Sequence, residues 1–458
     1  MRNNVILTDK LLIYNNRGSI GSVAGGLSVT YEFFPAPALF WEFEVFNEQD
    51  AQLEYKATGE LLHSIEGHEI VIPAAWFENQ RVDANPRREL GYRRTGVAAK
   101  VYVGDRDRKG KSFTFWLPNC KFQEIELLLN SVTREISHRT ADESPQNIML
   151  GWRLDREAYL QTDLKGETKL SLHTPTEALE WLRSQGSTGT YLTTVGTLDL
   201  SSEISITDAA NLLEEISDLL SFANGGFIAP LIIQMAPLQF ERDYPTLYSA
   251  YAIDSVEYLG GSWPGTESDT AALMQCFTTY QKMLKTPHWE NNFHLVLIWY
   301  FQAVQPQGVQ LRGKPWPVCA TALGAALEKL ASIILVEEMH VLSSTKFKKA
   351  SLEDRIRRLL NTIGLPDVGP EYMTGGPNGE AKDAVWYFVK MRNDATHHKS
   401  SRVWTLDQVH DILSTAIQWT EEVLLWRLGY QGKYRNRIRD RWSCTEPRYD
   451  LSLRDSSW

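Results

Sequence analysis

Cysteine is scarce in this chain. Cys120, Cys276, Cys319 and Cys444 are the four present, far apart and with no CxxC pair. That pattern excludes a disulfide framework and a structural zinc site, and it fits a reducing cytoplasm. No signal peptide is expected at the start of the sequence, because "MRNNVILTDKLLIY" has neither the apolar core nor the cleavage site of one. No long hydrophobic run is free of charge: the most apolar one, Val318–Val336, carries Glu328 and Lys329 near its middle. It reads as a buried helix, and no membrane span is expected. Positive charge is in deficit, with 47 Lys and Arg against 57 Asp and Glu and a net charge of −10. Indiscriminate coating of nucleic acid is thereby disfavoured, although a local basic cleft remains open.

Internal repeats and low-complexity tracts are lacking as well. "GSIGSVAGG" (18–26) is without the Gly-Lys-Ser/Thr ending of a phosphate-binding loop and reads as a strand connection. His63, Glu66, His68 and Glu69 are of metal-ligating types but are expected to be an incidental surface cluster. "NPRRELGYRR" (85–94) is expected to be a solvated basic loop, the other reading being a contact with an anion or a partner. No metal site and no cofactor is assigned.

What is present is the composition of a folded protein: 43% hydrophobic and 23% charged residues, with 15 Trp and an aromatic share of 11%. A length of 458 residues calls for two or three domains. Short β-branched and aromatic runs fill the first half: "LSVTYEFF", "FWEFEVF", "HEIVIPAAWF", "GVAAKVYVG" and "KSFTFWLP". "GDRDRKGK" (104–111) is expected to be a hairpin loop joining the last two. "NIMLGWRL", "TKLSLHT" and "GTLDLSSEISI" continue the pattern, with short helices expected near Phe122–Ile136 and Pro175–Arg183.

The period then changes. Ala209, Leu212, Leu213, Ile216, Leu219, Leu220 and Ala223 recur at helical spacing, with Thr207 or Asp208 as a cap and Gly225 or Gly226 as the stop. Helices are expected over 269–285, 289–304, 316–341, 351–363, 380–395 and 405–428, the last opened by a Thr405–Gln408 capping box. The proline- and glycine-bearing stretch 365–380 reads as a loop. The expected fold is α+β: a β-rich antiparallel sheet or sandwich at 1–206, a helical and mixed connector at 207–267, and an all-α bundle at 268–458 with a basic tail.

Chemistry gathers in "VKMRNDATHHKSS" (389–401). Val385, Phe388 and Val389 define an inward helix face, and Arg392 falls on its continuation. A charge there is unusual, since burying it unpaired is expensive. His397 follows five residues later, roughly 140° around an ideal helix. Either the helix ends between the two groups, or they converge with those of a second subunit.

Arg392-Asn393-Asp394-Ala395-Thr396-His397 resembles the Arg-x4-His signature of the HEPN superfamily, including the polar residue after the arginine. "SLEDRIRRLLNTIGLP" (351–366) resembles the helix that precedes this motif in HEPN proteins of the abortive-infection type. The resemblance covers about 268–430. It implies a HEPN-like helical bundle and metal-independent RNA cleavage by a homodimer, with Arg392, Asn393 and His397 catalytic. A histidine titrates near neutrality and suits proton transfer, while an arginine stays charged and holds two phosphate oxygens. Candidate RNA contacts are Arg355, Arg358, Lys399, Arg402, Lys433 and Arg435. For Arg355, Arg357 and Arg358 the other reading is a solvated helix face. "GYQGKYRNRIRDRW" (429–442) has the aromatic and basic mixture of a single-strand RNA contact or of a tail packed on the bundle. A non-catalytic RNA- or partner-binding scaffold stays open, as does a subunit of a larger ribonucleoprotein docked through the β-rich half.

Overall fold

A computed structural model describes residues 10–20, 23–32, 37–45, 61–65, 68–72, 76–83, 91–118, 125–126, 149–150, 160–162, 168–173, 192–235, 244–251, 270–290, 292–304, 316–365, 382–396, 404–437 and 453–455. The protein is α+β, with antiparallel strands in its first half and helices in its second. It divides into two units. One is Met1–Leu220 with Phe227–Glu257, and the other is Ser221–Gly226 with Tyr258–Trp458.

Strands β1 (Lys10–Ile20), β2 (Val23–Glu32), β3 (Ala38–Val45), β4 (Leu61–Ile65), β5 (His68–Ile72), β6 (Trp76–Asp83), β7 (Gly91–Ala98), β8 (Lys100–Val103) and β9 (Lys109–Pro118) come first. Among the described residues, β10 (Ile125–Glu126) and β11 (Met149–Leu150) pair with each other and stand outside the large sheet. β12 (Leu160–Thr162), β13 (Thr168–His173), β14 (Leu192–Ser205), β15 (Ile232–Gln234) and β16 (Thr246–Ser249) complete a 14-stranded sheet. Its order is β12-β13-β14-β9-β15-β16-β8-β5-β4-β1-β2-β3-β7-β6.

Alternation explains the pairing. Leu27, Val29 and Tyr31 of β2 are buried and face Phe43, Trp41 and Leu39 of β3, while Ser28, Thr30 and Glu42 point the other way. A slip of one residue would turn every one of these apolar groups outward. Burial also pushes the Tyr31 phenol well above its ordinary pKa, and its hydroxyl donates to the Ser249 carbonyl.

The expected hairpin at 104–111 is not what the chain forms. β8 and β9 are not neighbours, because the β15–β16 hairpin lies between them, with Ile232 opposite Trp116 and Thr246 opposite Val103. Residues 104–108 therefore bridge three strand spacings, about 14 Å at ~4.8 Å each. Gly104 turns the chain at a φ of 87°, and a Cβ there would come within 3.2 Å of the Pro245 Cα. Asp105 accepts the Asp107 N–H at 3.0 Å.

Other expectations change in the same way. "HEIVIPAAWF" supplies two strands that are far apart in the sheet, as β5 and β6. "GVAAKVYVG" splits at Ala99 into the end of β7 and β8. Within the expected helix Phe122–Ile136, Ile125–Glu126 is a strand. The remainder of that stretch and Pro175–Arg183 lie outside the described residues. Residues 207–220 and 227–251, read as part of a connector, belong to the sheet-bearing unit.

Helix α1 (Ile206–Asn224) has the expected inward stripe, apart from the half-buried Leu212. Its cap is Ser205, two residues before the earlier of the two expected caps, Thr207 and Asp208. The Ser205 hydroxyl accepts the Asp208 N–H at 3.1 Å, and Asp208 returns to the Ser205 N–H, which makes a capping box. Gly225, at a φ of 72°, ends it.

The helical unit contains α2 (Thr270–Leu284), α3 (Pro287–Glu290), α4 (Phe293–Val304), α5 (Trp316–Ser332), α6 (Ser344–Lys349), α7 (Leu352–Thr362), α8 (Ala384–Thr396) and α9 (Leu406–Leu428). α5 is the hub, with α4, α7, α8 and α9 packed on it. The stretch Trp316–Glu338 is long and apolar enough to cross a membrane by length and composition, and 61% of its most apolar window is buried inside the protein. Residues Ile333–Glu338 are a π-helix, closed by the Met339 N–H on the Ile334 carbonyl at 2.9 Å. Glu338 at its end accepts from the Trp289 Nε1 at 2.8 Å and the Arg427 Nε at 2.9 Å, which ties α3 and α9 to the hub. The Thr405–Gln408 capping box of α9 forms as expected, and Gly429, at a φ of 68°, closes that helix.

The bridging role of 104–108 predicts that Gly104→Ala destabilises the full chain by about 1–3 kcal/mol, because alanine is strained at this φ and crowds Pro245. Thermal or urea unfolding measures it. An unchanged midpoint would contradict this path of the chain.

Candidate functional site at the end of helix α8

Helix α8 starts at Asp383, whose carboxylate accepts the Trp386 N–H at 3.0 Å. The same carboxylate grips Arg357 of α7, which also holds Glu353 at 2.9 Å. Hydrogen bonding to Asp383 raises the Arg357 pKa further above its already high value, against a smaller opposing effect of burial. The start of α8 is thus fixed to α7. Val385, Phe388 and Val389 are buried as the periodicity requires.

Arg392 is half-buried on the continuation of that face. Its stem lies against α5 at Gly324, where a Cβ would sit 3.1 Å from the Arg392 Cγ. Its Nη1 donates to the Asn393 Oδ1 at 3.3 Å, and its Nε is buried with no hydrogen-bond partner among the described residues. The Thr396 hydroxyl folds back on the Arg392 carbonyl at 3.1 Å. Helix α8 runs to Thr396 and so reaches the residue before His397.

Asp394 has a separate task. Its carboxylate, only 5% exposed, accepts the Trp404 Nε1–H at 3.1 Å and pairs with Lys390 at 3.1 Å. The chain that leaves α8 is therefore brought back to it within ten residues. His397, Lys399 and Arg402 belong to the stretch between, outside the described residues.

The candidate RNA contacts divide. The Arg355 guanidinium is used inside the bundle: it pairs with Glu328 of α5, donates its Nε to the Phe347 carbonyl at 3.0 Å and lies 4.5 Å from the Phe347 ring centroid. Arg358 is exposed. Lys433 is exposed and Arg435 half-buried on β17 (Lys433–Arg435), which pairs with β18 (Leu453–Asp455).

Of the two readings of the basic tail, residues 430–437 follow the packed one. Tyr430 and Tyr434 are fully buried. Tyr434 donates to Glu422 at 2.8 Å and Tyr430 to the Lys433 carbonyl at 2.7 Å. Arg437 reaches into the bundle, placing its Nε 2.8 Å and its Nη2 2.6 Å from oxygens of the fully buried Glu421, to which Tyr300 also donates. Burial opposes the charge on Arg437, and the neighbouring Glu421 carboxylate overcomes that and raises its pKa. Burial, and then the charge of Glu421, push Tyr300 well above its ordinary 10.0.

Five residues had no role assigned to them from sequence: Gly324, Asp394, Trp404, Glu421 and Arg437. A glycine inside an apolar helical pattern was the available signal for the first. Nothing in the spacing distinguished Glu421 from a solvated glutamate.

Residues 286–447 match the family model of the YopA C-terminal domain, a stretch that contains α3 to α9 and the packed tail. No curated protein and no solved structure matches the chain.

Arg437→Ala leaves Glu421 buried without its cation and is expected to cost about 3–5 kcal/mol, whereas Lys433→Ala at the surface changes stability within about ±0.5 kcal/mol. Urea unfolding of the two variants decides. The raised pKa of Tyr300 contributes stability that is complete below pH 10.0 and is lost as pH climbs toward the folded-state value. Unfolding free energy should therefore fall above pH 10.0, and Tyr300→Phe should flatten that fall.

Proposed function

We propose that the helical unit is a metal-independent endoribonuclease of the HEPN type, acting on single-stranded RNA as a homodimer in the cytoplasm. The observation that carries the reading is the state of Arg392. Its stem is seated in the bundle, its Nη1 rests on Asn393, its Nε–H has no partner among the described residues, and a histidine follows five positions later. The stem and Nε are held inside the bundle, which fixes the guanidinium in one place, and its outer nitrogens are the ones a phosphate oxygen would meet.

In the proposed reaction His397 takes the proton from a ribose 2′-OH, and the 2′-oxygen attacks phosphorus. The P–O5′ bond breaks, and the 5′-oxygen leaves with a proton delivered by the other subunit's copy of the histidine. Arg392 neutralises charge gathering on the non-bridging oxygens. Asn393 orients the guanidinium through its Oδ1. Arg358 and Lys433 are exposed cations suited to the RNA backbone. Arg355 is committed within the bundle and takes no part. The β-rich unit binds the trigger or a protein or ribonucleoprotein partner and restrains cleavage.

A scaffold that binds RNA or protein without cutting is favoured by one observation: Tyr430, Tyr434 and Arg437 are used in packing, which removes rings and a cation from the expected RNA surface. Cleavage assays separate the readings. Arg392→Ala and His397→Ala are each expected to lower the rate by about 10²–10⁴ while leaving the fold intact. Products should carry 2′,3′-cyclic phosphates and 5′-hydroxyls, EDTA should not inhibit, and DNA should resist. Binding without cleavage, with or without a partner, would establish the scaffold. Inhibition by EDTA, or 5′-phosphate products, would refute the mechanism.

A further inference from the structure

Gly324 interrupts the run of alanines and leucines that makes α5 a good helix, and an interior glycine lowers helix stability relative to alanine. Its neighbours Leu323, Ala326 and Leu327 are buried, so this position faces protein as well as lying mid-helix. What occupies the space of its missing side chain is Arg392. A Cβ at Gly324 would lie 3.1 Å from the Arg392 Cγ, 3.4 Å from its Nε and 3.7 Å from its Cδ.

We infer that Gly324 is the positioning residue for Arg392: the bare backbone of α5 forms a slot for the arginine stem and decides where the guanidinium stands. The role of that guanidinium in cleavage rests on the ribonuclease reading, whereas the slot does not. The sealed Nε agrees with a stem seated deep enough for the first N–H to be out of water. With Val385, Phe388 and Val389 buried on the same helix face, α8 is held on α5 and has little freedom to retreat. An added methyl at 324 therefore has to be answered by Arg392 itself, through a shift at Cγ that carries the guanidinium with it.

The test is a double-mutant cycle in the full chain with Gly324→Ala and Arg392→Ala, read by thermal midpoint and by RNA cleavage. In the Arg392→Ala background the slot is empty, and Gly324→Ala should raise the midpoint by a few degrees through helix propensity alone. In the native background the rise should be smaller or reversed, and kcat should fall by about 10²-fold with KM little changed, as for a misplaced catalytic group. If Gly324→Ala alone fails to fold, recovery of folding in the double variant supports the slot, and failure of that variant as well overturns it. Equal midpoint shifts in the two backgrounds would overturn the inference, as would undiminished kcat in a cleaving Gly324→Ala protein. Should the native protein cut no RNA while the midpoints remain coupled, the ribonuclease reading falls and Gly324 stands as the seat of Arg392.

Discussion

A helix packed by four others must be met at close range, and the second half of this protein is organised by that constraint on α5. Its inward positions are held largely by small residues, Ala320, Ala322, Gly324, Ala326 and Ala331, among the leucines. Small side chains let neighbouring helices approach and exclude water from the contact. The consequences are local and specific. Where α8 approaches, the space at Gly324 receives an arginine stem. Where α5 ends, the chain widens into a π-turn, a feature that often marks a functional place in a helix. There it delivers Glu338 to Trp289 and Arg427.

Helix α9 solves a different problem. Gln418, Glu421 and Glu422 are buried in a single turn and a half, which would be unfavourable if they were alone. The tail beyond Gly429 supplies what they need: Arg437 and Tyr434, joined by Tyr300 from α4. A buried pair of this kind is weak support for stability compared with an apolar core, but losing one partner is severe. Tyr430, Tyr434 and Arg437 of the tail are thus part of the bundle's interior, and basic composition was a poor guide to their partners. Arg355 repeats the lesson, being held by Glu328 and two backbone carbonyls.

Much of the architecture could be read from patterns. Alternation along 27–32 and 39–44 placed strands, and the stripe from Ala209 to Ala223 placed α1, because pleat and helix periods write directly into the order of apolar residues. Of the candidate site, Arg392 was legible as a charge on an apolar face. Strand order was not legible. β15 and β16 come more than a hundred residues after β8 and β9 yet lie between them, and no local pattern encodes which edges of a sheet are free when a later hairpin arrives.

By itself, the sequence determined the split into a β-rich half and a helical half, the faces that turn inward, the glycine stop of α1 and the capping box that begins α9. These are properties of single elements, set by hydrophobic period and by the backbone preferences of threonine and glycine. Only the tertiary structure decided which charges are surface and which are interior. Glu421, Arg437, Arg355 and Arg392 look alike as residue types, and their difference arises from what stands opposite each of them. Opposition across a bundle is a matter of helix packing at a distance along the chain, where the cost of burying a charge is met or left unmet by a partner tens of residues away.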